Sequence, residues 1–201
     1  MKPIRLATER LVLRPFQRSD APEFACLAGD WAVASMTSDI PYPVSDRQAM
    51  AWLRPVRGEV RFAIELEGAL IGGAGYYRRP SGAAELGFWL GRPWWGRGYA
   101  TEAARVVVQH GFANPNLPGF SSAHFVDNSA SKRVLTKLGF ETVARGIIAC
   151  AARGHDVEAV TYWLDRQHAR LAVPLPAQAP RSGWRGWLSL ITGSRDRHPP
   201  P

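Results

Sequence analysis

The sequence predicts a single α+β domain with mixed αβα layers, in which helices flank a mixed β-sheet. The chain has 201 residues, of which 46% are hydrophobic and 21% are charged, and this is enough for one globular core. Segments with strand periodicity alternate with segments of helical periodicity, and several strands follow one another in pairs before the next helix. This order favours an α+β sheet over a strictly alternating, doubly wound one.

Seven segments carry strand signals, which are alternating or short apolar runs bounded by turn residues. These segments lie at 10–14, 60–67, 70–79, 84–90, 120–126, 140–149 and 157–164. Pro15 closes the first strand, because proline cannot donate to a sheet ladder. The Glu67-Gly68 pair joins the second and third strands and predicts a hairpin turn.

Four helices are predicted from an apolar spacing of about 3.6 residues and from signals at their ends. They begin after the N-cap candidates Ser19-Asp20 and Ser45-Asp46, at residue 98 and at residue 129. The third helix ends at about 112 and carries alanine and valine on its apolar side. The fourth ends at 138, because Gly139 is a typical C-terminal glycine.

Composition divides the chain into a domain at 1–173 and a tail at 174–201. The tail holds six of the 16 prolines together with arginine and tryptophan, which predicts a loosely ordered extension. The net charge of +8 comes from 25 basic and 17 acidic side chains, and no run of lysine or arginine could track a nucleic-acid backbone. Nucleic-acid binding is therefore not expected as the main activity.

Apolar runs, cysteines and histidines bear on the compartment and on metal binding. No apolar run reaches the roughly 18 residues of a membrane helix and no signal peptide is recognisable, so we expect a cytoplasmic protein without a membrane span. Cys26 and Cys150 lie far apart in the sequence and predict two buried free thiols. The five histidines show no metal-ligand spacing, and no metal site is expected.

The turn that leads from the fourth strand into the third helix contains Gly96 and Gly98. Both glycines leave backbone N–H groups uncovered just before a helix N-terminus, where the helix dipole favours an anion such as phosphate. Arg92 and Arg97 add charge at the rim, and Thr101 adds a hydroxyl. Alternatively, the glycines only make a tight turn, and a Gly-x-Gly pattern alone does not decide between the two interpretations.

Three segments, in this order, resemble the GNAT superfamily of N-acetyltransferases and in particular its ribosomal-protein (RimJ/RimL-like) branch. Residues 95–103, Trp-Gly-Arg-Gly-Tyr-Ala-Thr-Glu-Ala, are similar to the family's loop for the pyrophosphate of acetyl-coenzyme A, although Trp95 stands where glutamine or arginine is usual. Residues 8–14 resemble the opening strand of that branch, and residues 128–140 resemble its Asn-x-x-Ser…Lys-x-Gly-Phe segment. The matching pieces span about 6–166.

The resemblance implies a GNAT-like fold with a central, mostly antiparallel, splayed mixed sheet. The splay would separate the strands at 84–90 and 120–126, and a backbone N–H group there would polarise the thioester carbonyl. Acetyl-coenzyme A would be the acyl donor. By resemblance, its site comprises Leu90, Arg92, Trp95, Gly96, Arg97, Gly98, Tyr99, Ala100, Thr101, Asn128 and Ser131.

An amine nucleophile must lose a proton, directly or through water, so the site needs a base. Glu85 is the first candidate, because it lies on the strand that leads into the glycine loop and burial there would raise its pKa. The alternative for Glu85 is a paired surface glutamate, and Asp127 and Glu158 are weaker candidates for the base. His124 is expected to be a core or wall residue.

Two further residues of the resembling segments are candidates for catalysis. Asn128 would hydrogen-bond the donor, although asparagine at this position also fits a helix N-cap. Ser131 would serve the leaving thiolate, although it also fits an ordinary serine of the capping turn. Leu135 stands where many GNAT enzymes have a tyrosine acid, which puts that route in doubt.

The predicted activity is acetyl transfer from acetyl-coenzyme A to a primary amine by direct attack in a ternary complex. The acceptor would be a protein N-terminus, for example of a ribosomal protein, or a small-molecule amine. An acidic groove would favour polyamines or other cations, and an open neutral groove would favour a peptide. The alternatives are a coenzyme A-binding module without turnover and a ribosome- or RNA-associated binding protein. A homodimer stays open, because exposed sheet edges often pair.

Overall fold

The computed structural model describes residues 4–56, 58–79 and 82–172, and within them eight strands form one sheet with helices on both faces. The strands are β1 (Leu6–Ala7), β2 (Val12–Arg14), β3 (Glu59–Leu66), β4 (Ala69–Arg78), β5 (Ala84–Leu90), β6 (Gly119–Phe125), β7 (Glu141–Cys150) and β8 (His155–Asp165). The helices are α1 (Ala21–Ala28), α2 (Trp31–Ala34), α3 (Asp46–Trp52), α4 (Tyr99–Phe112), α5 (Ser129–Lys137) and α6 (Arg166–Ala172).

The strand order in the sheet is β1-β2-β3-β4-β5-β6-β8-β7, and all neighbours are antiparallel except β5 and β6. The predicted mixed αβα class is therefore confirmed. All seven predicted strands are present as β2 to β8, and the four predicted helices are α1, α3, α4 and α5. The structure adds β1, α2, α6 and two 3₁₀ turns, which are too short to show a clear period. The tail predicted at 174–201 lies outside the described residues.

The two faces of the sheet carry separate cores. On one face, Val107 and Val108 of α4 and Leu135 of α5 are fully buried in the cluster that contains β3 to β6. On the other face, Phe24 of α1 stacks on Trp52 of α3 with ring centroids 4.5 Å apart. Helices thus pack against both faces of the sheet, and the strands between them keep a fixed position.

The two predicted helix caps have different outcomes. The Ser45 cap is confirmed, because its hydroxyl accepts from the Gln48 amide at 3.4 Å while the Gln48 side chain accepts from the Ser45 amide at 2.9 Å. The cap at Ser19-Asp20 is confirmed in position, because Asp20 is the N-cap residue of α1, but the Asp20 carboxylate makes no capping hydrogen bond to α1. It accepts instead from the Arg14 guanidinium and from the Gln17 amide.

The prediction of two buried thiols is correct for one cysteine only. Both are free, and Cys150 is buried with its thiol 3.2 Å from the Thr37 carbonyl. Cys26 is exposed. The reason is helix geometry: Phe24 and Leu27 occupy the buried stripe of α1, and a residue two positions after Phe24 points away from that stripe.

The outer surface bears on the predictions about membranes and oligomers. Within the described part of the chain, no helix combines the length and the apolar character that a membrane span needs. β7 forms one edge of the sheet, and its Val143 and Ile147 side chains are 60% and 70% exposed. The homodimer stays a prediction.

Arg14 and Asp20 form a buried ion pair between β2 and the start of α1. Two guanidinium nitrogens lie 2.7 and 2.8 Å from the two carboxylate oxygens, and Glu65 accepts a further hydrogen bond from Arg14 at 2.7 Å. Burial raises the pKa of Asp20, but the hydrogen bonds from Arg14 and the Gln17 amide outweigh burial and hold that pKa below its usual range.

Asp20→Asn is expected to lower the free energy of unfolding by about 3 kcal/mol, because the guanidinium loses a buried partner. The ion pair contributes fully to the free energy of unfolding when the pH is above the ordinary pKa of aspartate. This contribution is lost as the pH falls through the lower pKa that Asp20 has in the folded state. The deficit should therefore be full at neutral pH and vanish in strong acid, as measured by urea unfolding. Arg5→Gln breaks the exposed Arg5–Glu65 pair and should cost less than about 1 kcal/mol. Equal losses in both variants would refute the interpretation.

Candidate active site

The site is built where β5 and β6 separate. These parallel strands pair only at Ala84–Phe120 and Glu85–Ser121, although both strands continue for several residues. At the start of the gap, the Ser122 hydroxyl donates to the Leu86 carbonyl at 2.9 Å. The splay that the resemblance implied is therefore present.

The same hydrogen bond fixes which backbone groups face the gap. The Leu86 carbonyl points toward β6, and successive peptide groups of a strand point to alternate sides. Phe88, two residues further on, therefore directs its N–H and carbonyl groups into the gap. The Leu90 carbonyl has the same orientation and accepts from the Trp95 indole N–H at 2.7 Å.

Two cavities open at this gap and meet there. The larger, of about 530 Å³, lies beside the glycine loop and α5. The smaller, of about 110 Å³, lies beside Glu85 and the loop between α2 and α3. The residues that line both cavities are Met36, Thr37, Phe88, Trp89 and Ser131. Together the cavities form one groove that crosses the sheet at the split.

The glycine loop presents uncovered amides to the larger cavity. Gly96 and Gly98 have φ angles of +77° and +84°, which glycine adopts readily, and both are exposed. A Cβ atom built on Gly96 would meet nothing within 4 Å. In the described part of the chain, nothing accepts a hydrogen bond from the N–H groups of residues 96–101. The loop therefore has the free donors that an anion needs.

A set of contacts from the first strands orients this loop. Glu102, in the first turn of α4, accepts from the Thr8 hydroxyl at 2.5 Å, from the Arg10 amide at 3.0 Å and from the Arg10 guanidinium at 2.8 Å. Arg10 also stacks on Tyr99 and donates to the Arg97 carbonyl at 3.2 Å. Because a trans peptide points its C=O and N–H in opposite directions, the Gly98 N–H faces away from Arg10.

Nine of the eleven residues predicted for the donor site line the larger cavity. They are Leu90, Trp95, Gly96, Gly98, Tyr99, Ala100, Thr101, Asn128 and Ser131. The other two, Arg92 and Arg97, are exposed and are not among the residues that line this cavity. Arg92 forms an ion pair with Asp30 at 3.3 Å, so part of the expected rim charge is neutralised.

Asn128 and Ser131 lie at the inner end of the larger cavity. The Asn128 side-chain oxygen accepts from the Ser131 amide at 3.0 Å, so this asparagine is the N-cap of α5. The nitrogen of the same Asn128 side-chain amide donates to the Met36 carbonyl at 3.5 Å. Ser131 stands where the two cavities meet, and no described residue forms a hydrogen bond with its hydroxyl.

Glu85 is a buried carboxylate that lines the smaller cavity and is 7% exposed. One of its oxygens, Oε2, accepts from the Arg79 guanidinium, which leaves Oε1 for the cavity. Burial raises the pKa of Glu85, and the attraction of Arg79 offsets this only in part. The alternative candidates differ: Asp127 is exposed and paired with Arg153 at 2.8 Å, and Glu158 is exposed.

His124 and Leu135 bear on other routes for protons. The His124 Nδ1 atom lies 2.6 Å from the Phe125 carbonyl, so Nδ1 carries the proton and donates. Nε2 therefore accepts, from the Tyr162 hydroxyl at 3.1 Å. With both ring nitrogens engaged, His124 is a buried wall residue of the smaller cavity. Leu135 is fully buried in the core and lines neither cavity.

Sequence reasoning missed several lining residues. Arg133 and Lys137 lie one turn apart on α5 and line the outer part of the larger cavity. Their i, i+4 spacing on a cationic helix face was the signal that could have found them. Asp39, in the loop between α2 and α3, lines the smaller cavity and accepts from the Trp52 indole at 3.2 Å. No motif surrounds Asp39, so only the fold brings it to the site.

Comparison with known proteins defines the class. The "Uncharacterized N-acetyltransferase YoaA" of Bacillus subtilis (strain 168) is 34% identical over 146 residues, which cover 68% of this chain and 82% of that protein. The crystal structure of the GNAT-family acetyltransferase from Bacillus anthracis superposes with a TM-score of 0.72 at 19% identity, covering 82% of this chain and 99% of the other. The chain is therefore an acyltransferase enzyme.

The family follows from a direct match. The family model described as "Acetyltransferase (GNAT) domain" matches residues 10–141, about two thirds of the chain, so the chain belongs to the GNAT family. A structure of RimL, the ribosomal L7/L12 alpha-N-protein acetyltransferase, in complex with coenzyme A has a TM-score of 0.70 at 18% identity, covering 81% of this chain and 98% of that one. At the level of fold, this confirms the resemblance to the RimJ/RimL-like branch.

Proposed function

We propose that this enzyme transfers the acetyl group of acetyl-coenzyme A to a primary amine by direct attack within a ternary complex. One observation carries the proposal: two cavities meet at the split between β5 and β6, one beside free loop amides and one beside a buried carboxylate. A donor and an acceptor that enter from opposite sides would meet at Phe88 and Ser131. Such positioning of two reactants lowers a barrier by several kcal/mol.

The residues of the larger cavity fit the acyl donor. The uncovered N–H groups at 96–101 and the N-terminus of α4 suit the pyrophosphate, because they offer several donors in a positive field. Arg133 and Lys137 would add positive charge for further phosphate groups. Along the rest of the cavity, backbone groups of β5 and the Asn128 side chain would hydrogen-bond the pantetheine arm.

Backbone geometry supports polarisation of the thioester. The Phe88 N–H group points into the gap between the splayed strands, where it can donate to the thioester oxygen. Negative charge develops on that oxygen as the amine attacks the carbonyl carbon, so a fixed donor stabilises the transition state more than the ground state. The strand pairing of β4 with β5 holds this donor in place.

Glu85 is the proposed base. As the C–N bond forms and the C–S bond breaks, the Oε1 atom of Glu85 would take the proton that the amine loses. A raised pKa makes the ionised carboxylate a stronger acceptor for that proton. The Ser131 hydroxyl would donate to the leaving sulfur, which supplies a proton route without the tyrosine that Leu135 replaces.

The donor site is tested with two matched glycine variants. Gly96 and Gly68 both have positive φ and open space around a Cβ atom, but Gly68 lies in the β3–β4 turn away from the groove. Gly96→Ala should weaken coenzyme A binding at least about tenfold in calorimetry, because the methyl group displaces the pyrophosphate from the amides. Gly68→Ala should lower the free energy of unfolding by a similar amount and leave the affinity for coenzyme A unchanged. Equal affinities in the two variants, or no coenzyme A binding by the wild type, would contradict the donor site.

The base is tested by thiol release from acetyl-coenzyme A with a panel of amines over a range of pH. In the wild type, kcat/KM should rise as the pH increases through the raised pKa of Glu85, because only the ionised carboxylate accepts a proton. Glu85→Gln should abolish this rise of kcat/KM with pH and lower kcat by about 10²-fold or more. Glu158→Gln, an exposed strand glutamate, is the control and should behave as the wild type.

Two results would refute the proposal. Coenzyme A bound tightly without thiol release for any amine would indicate a binding module. Activity of Glu85→Gln within about threefold of the wild type, with the rise of kcat/KM with pH intact, would remove Glu85 from the base role.

A further inference from the structure

The acceptor side of the groove contains a second carboxylate, Asp39, in addition to Glu85. Asp39 lies in the loop between α2 and α3, over the face of the sheet that carries α1 and α3. Its Oδ2 atom accepts from the Trp52 indole N–H at 3.2 Å, which fixes the carboxylate at the cavity wall. Since Glu85 comes from β5 and Asp39 from the covering loop, the two acidic groups reach the cavity from different elements.

The charge around this cavity is unbalanced. Asp39 and Glu85 are the charged side chains among its described lining residues, and neither lysine nor arginine lines it. Arg79 pairs with Glu85 from the outside of the cavity. The guanidinium near Asp39, that of Arg61, is engaged by Glu59 at 2.6 Å and stacks on Trp52 at 4.6 Å. Asp39 therefore shares its nearby guanidinium with Glu59, and no lysine or arginine on the described cavity wall stands beside it.

The cavity that holds the two carboxylates is small, about 110 Å³, and part of its wall is glycine backbone and an indole ring. Side chains alternate along a strand, so Glu85, Gly87 and Trp89 of β5 share one face, and Gly87 lines the cavity without a side chain. Its neighbour across the β4–β5 ladder is also a glycine, Gly75. Trp52 is part of the wall. A cavity of about 110 Å³ suits a short aliphatic chain and is too small for a bulky group.

We infer that the acceptor is a small aliphatic amine with a second positive charge, whose distal ammonium group binds Asp39 while its reacting amine lies at Glu85. The inference rests on the proposed acetyl transfer and specifies its substrate class. During the reaction the amine nitrogen bonds to the acetyl carbon, the C–S bond breaks, and Glu85 takes the proton. Asp39 takes no part in the proton transfer and holds the far end of the acceptor.

The pKa shifts of Asp39 and Glu59 agree with a preference for a cation in this region. Burial raises the pKa of Asp39, against the opposing hydrogen bond from Trp52 and the attraction of Arg61. Burial raises the pKa of Glu59 to about 7, with a further contribution from the charge of Asp39. A bound ammonium group would add positive charge beside Asp39, which shares Arg61 with Glu59. With no lysine or arginine on the described cavity wall, acceptors with a carboxylate beside the reacting amine are disfavoured.

The test compares 1,4-diaminobutane with n-butylamine, which has the same carbon count and lacks the second amine. Thiol release should show kcat/KM about 10- to 100-fold higher for the diamine, the factor expected for a charge-assisted hydrogen bond to a partly buried group. Asp39→Asn keeps an oxygen for the Trp52 indole and removes the charge. It should raise KM for the diamine by a similar factor, with little change in kcat and with n-butylamine unaffected.

Asp46→Asn is the control, because this carboxylate lies in the first turn of α3 outside the cavity lining. It should leave both amines unchanged. Equal kcat/KM for the two amines in the wild type would overturn the inference, and this comparison does not depend on the folding of any variant. A similar effect of Asp39→Asn on both amines, or a preference for a peptide whose N-terminus is its one positive charge, would also overturn it. Absence of thiol release with every amine would instead refute the proposed function.

Discussion

The parting of β5 and β6 is the constraint on which the rest of the site depends. Hydrogen bonding between these parallel strands stops after Glu85 and Ser121, so the backbone groups that face the gap beyond that point have no partner strand. In a continuous sheet the Phe88 amide would be used by the ladder and the two cavities would be closed. The antiparallel pairs on either side, β4–β5 and β6–β8, keep both strands in place while the gap stays open. The Ser122 hydroxyl fills the first position of the gap and fixes where it begins.

Each half of the groove is held by contacts from outside it. The glycine loop owes its orientation to Glu102 and Arg10, which bind each other and turn the Arg97 carbonyl away from the cavity. In the smaller cavity, both carboxylates are held by a neighbouring side chain. Arg79 binds Glu85, and the Trp52 indole donates to Asp39. Both carboxylates are partly desolvated, and for that reason each has a raised pKa and a strong response to a nearby cation.

Predictions from the sequence succeeded where the deciding interactions join residues that are close in the chain. The cap at Ser45, the end of α5 at Gly139 and the free amides around Gly96 all follow from residues within a few positions of one another. Predictions were incomplete or wrong where contacts outside the recognised pattern decided the outcome. Asp20 has the chemistry of an N-cap, but it is used by Arg14, whose buried guanidinium requires a carboxylate. Cys26 is apolar enough for a core, but the helix phase set by its neighbours exposes it.

The sequence by itself determined the class of the sheet, the glycine turn before α4 and the family resemblance, because periodicity, glycine positions and short motifs are all local features of the chain. Only the tertiary structure decided that β5 and β6 separate after two residue pairs, that Ser131 stands where two cavities meet, and that Asp39 lines the smaller cavity. Strand separation depends on the balance of packing on both faces of the sheet. The approach of Asp39 depends on where α3 and Trp52 dock, and no local pattern encodes a contact between residues so far apart in the chain.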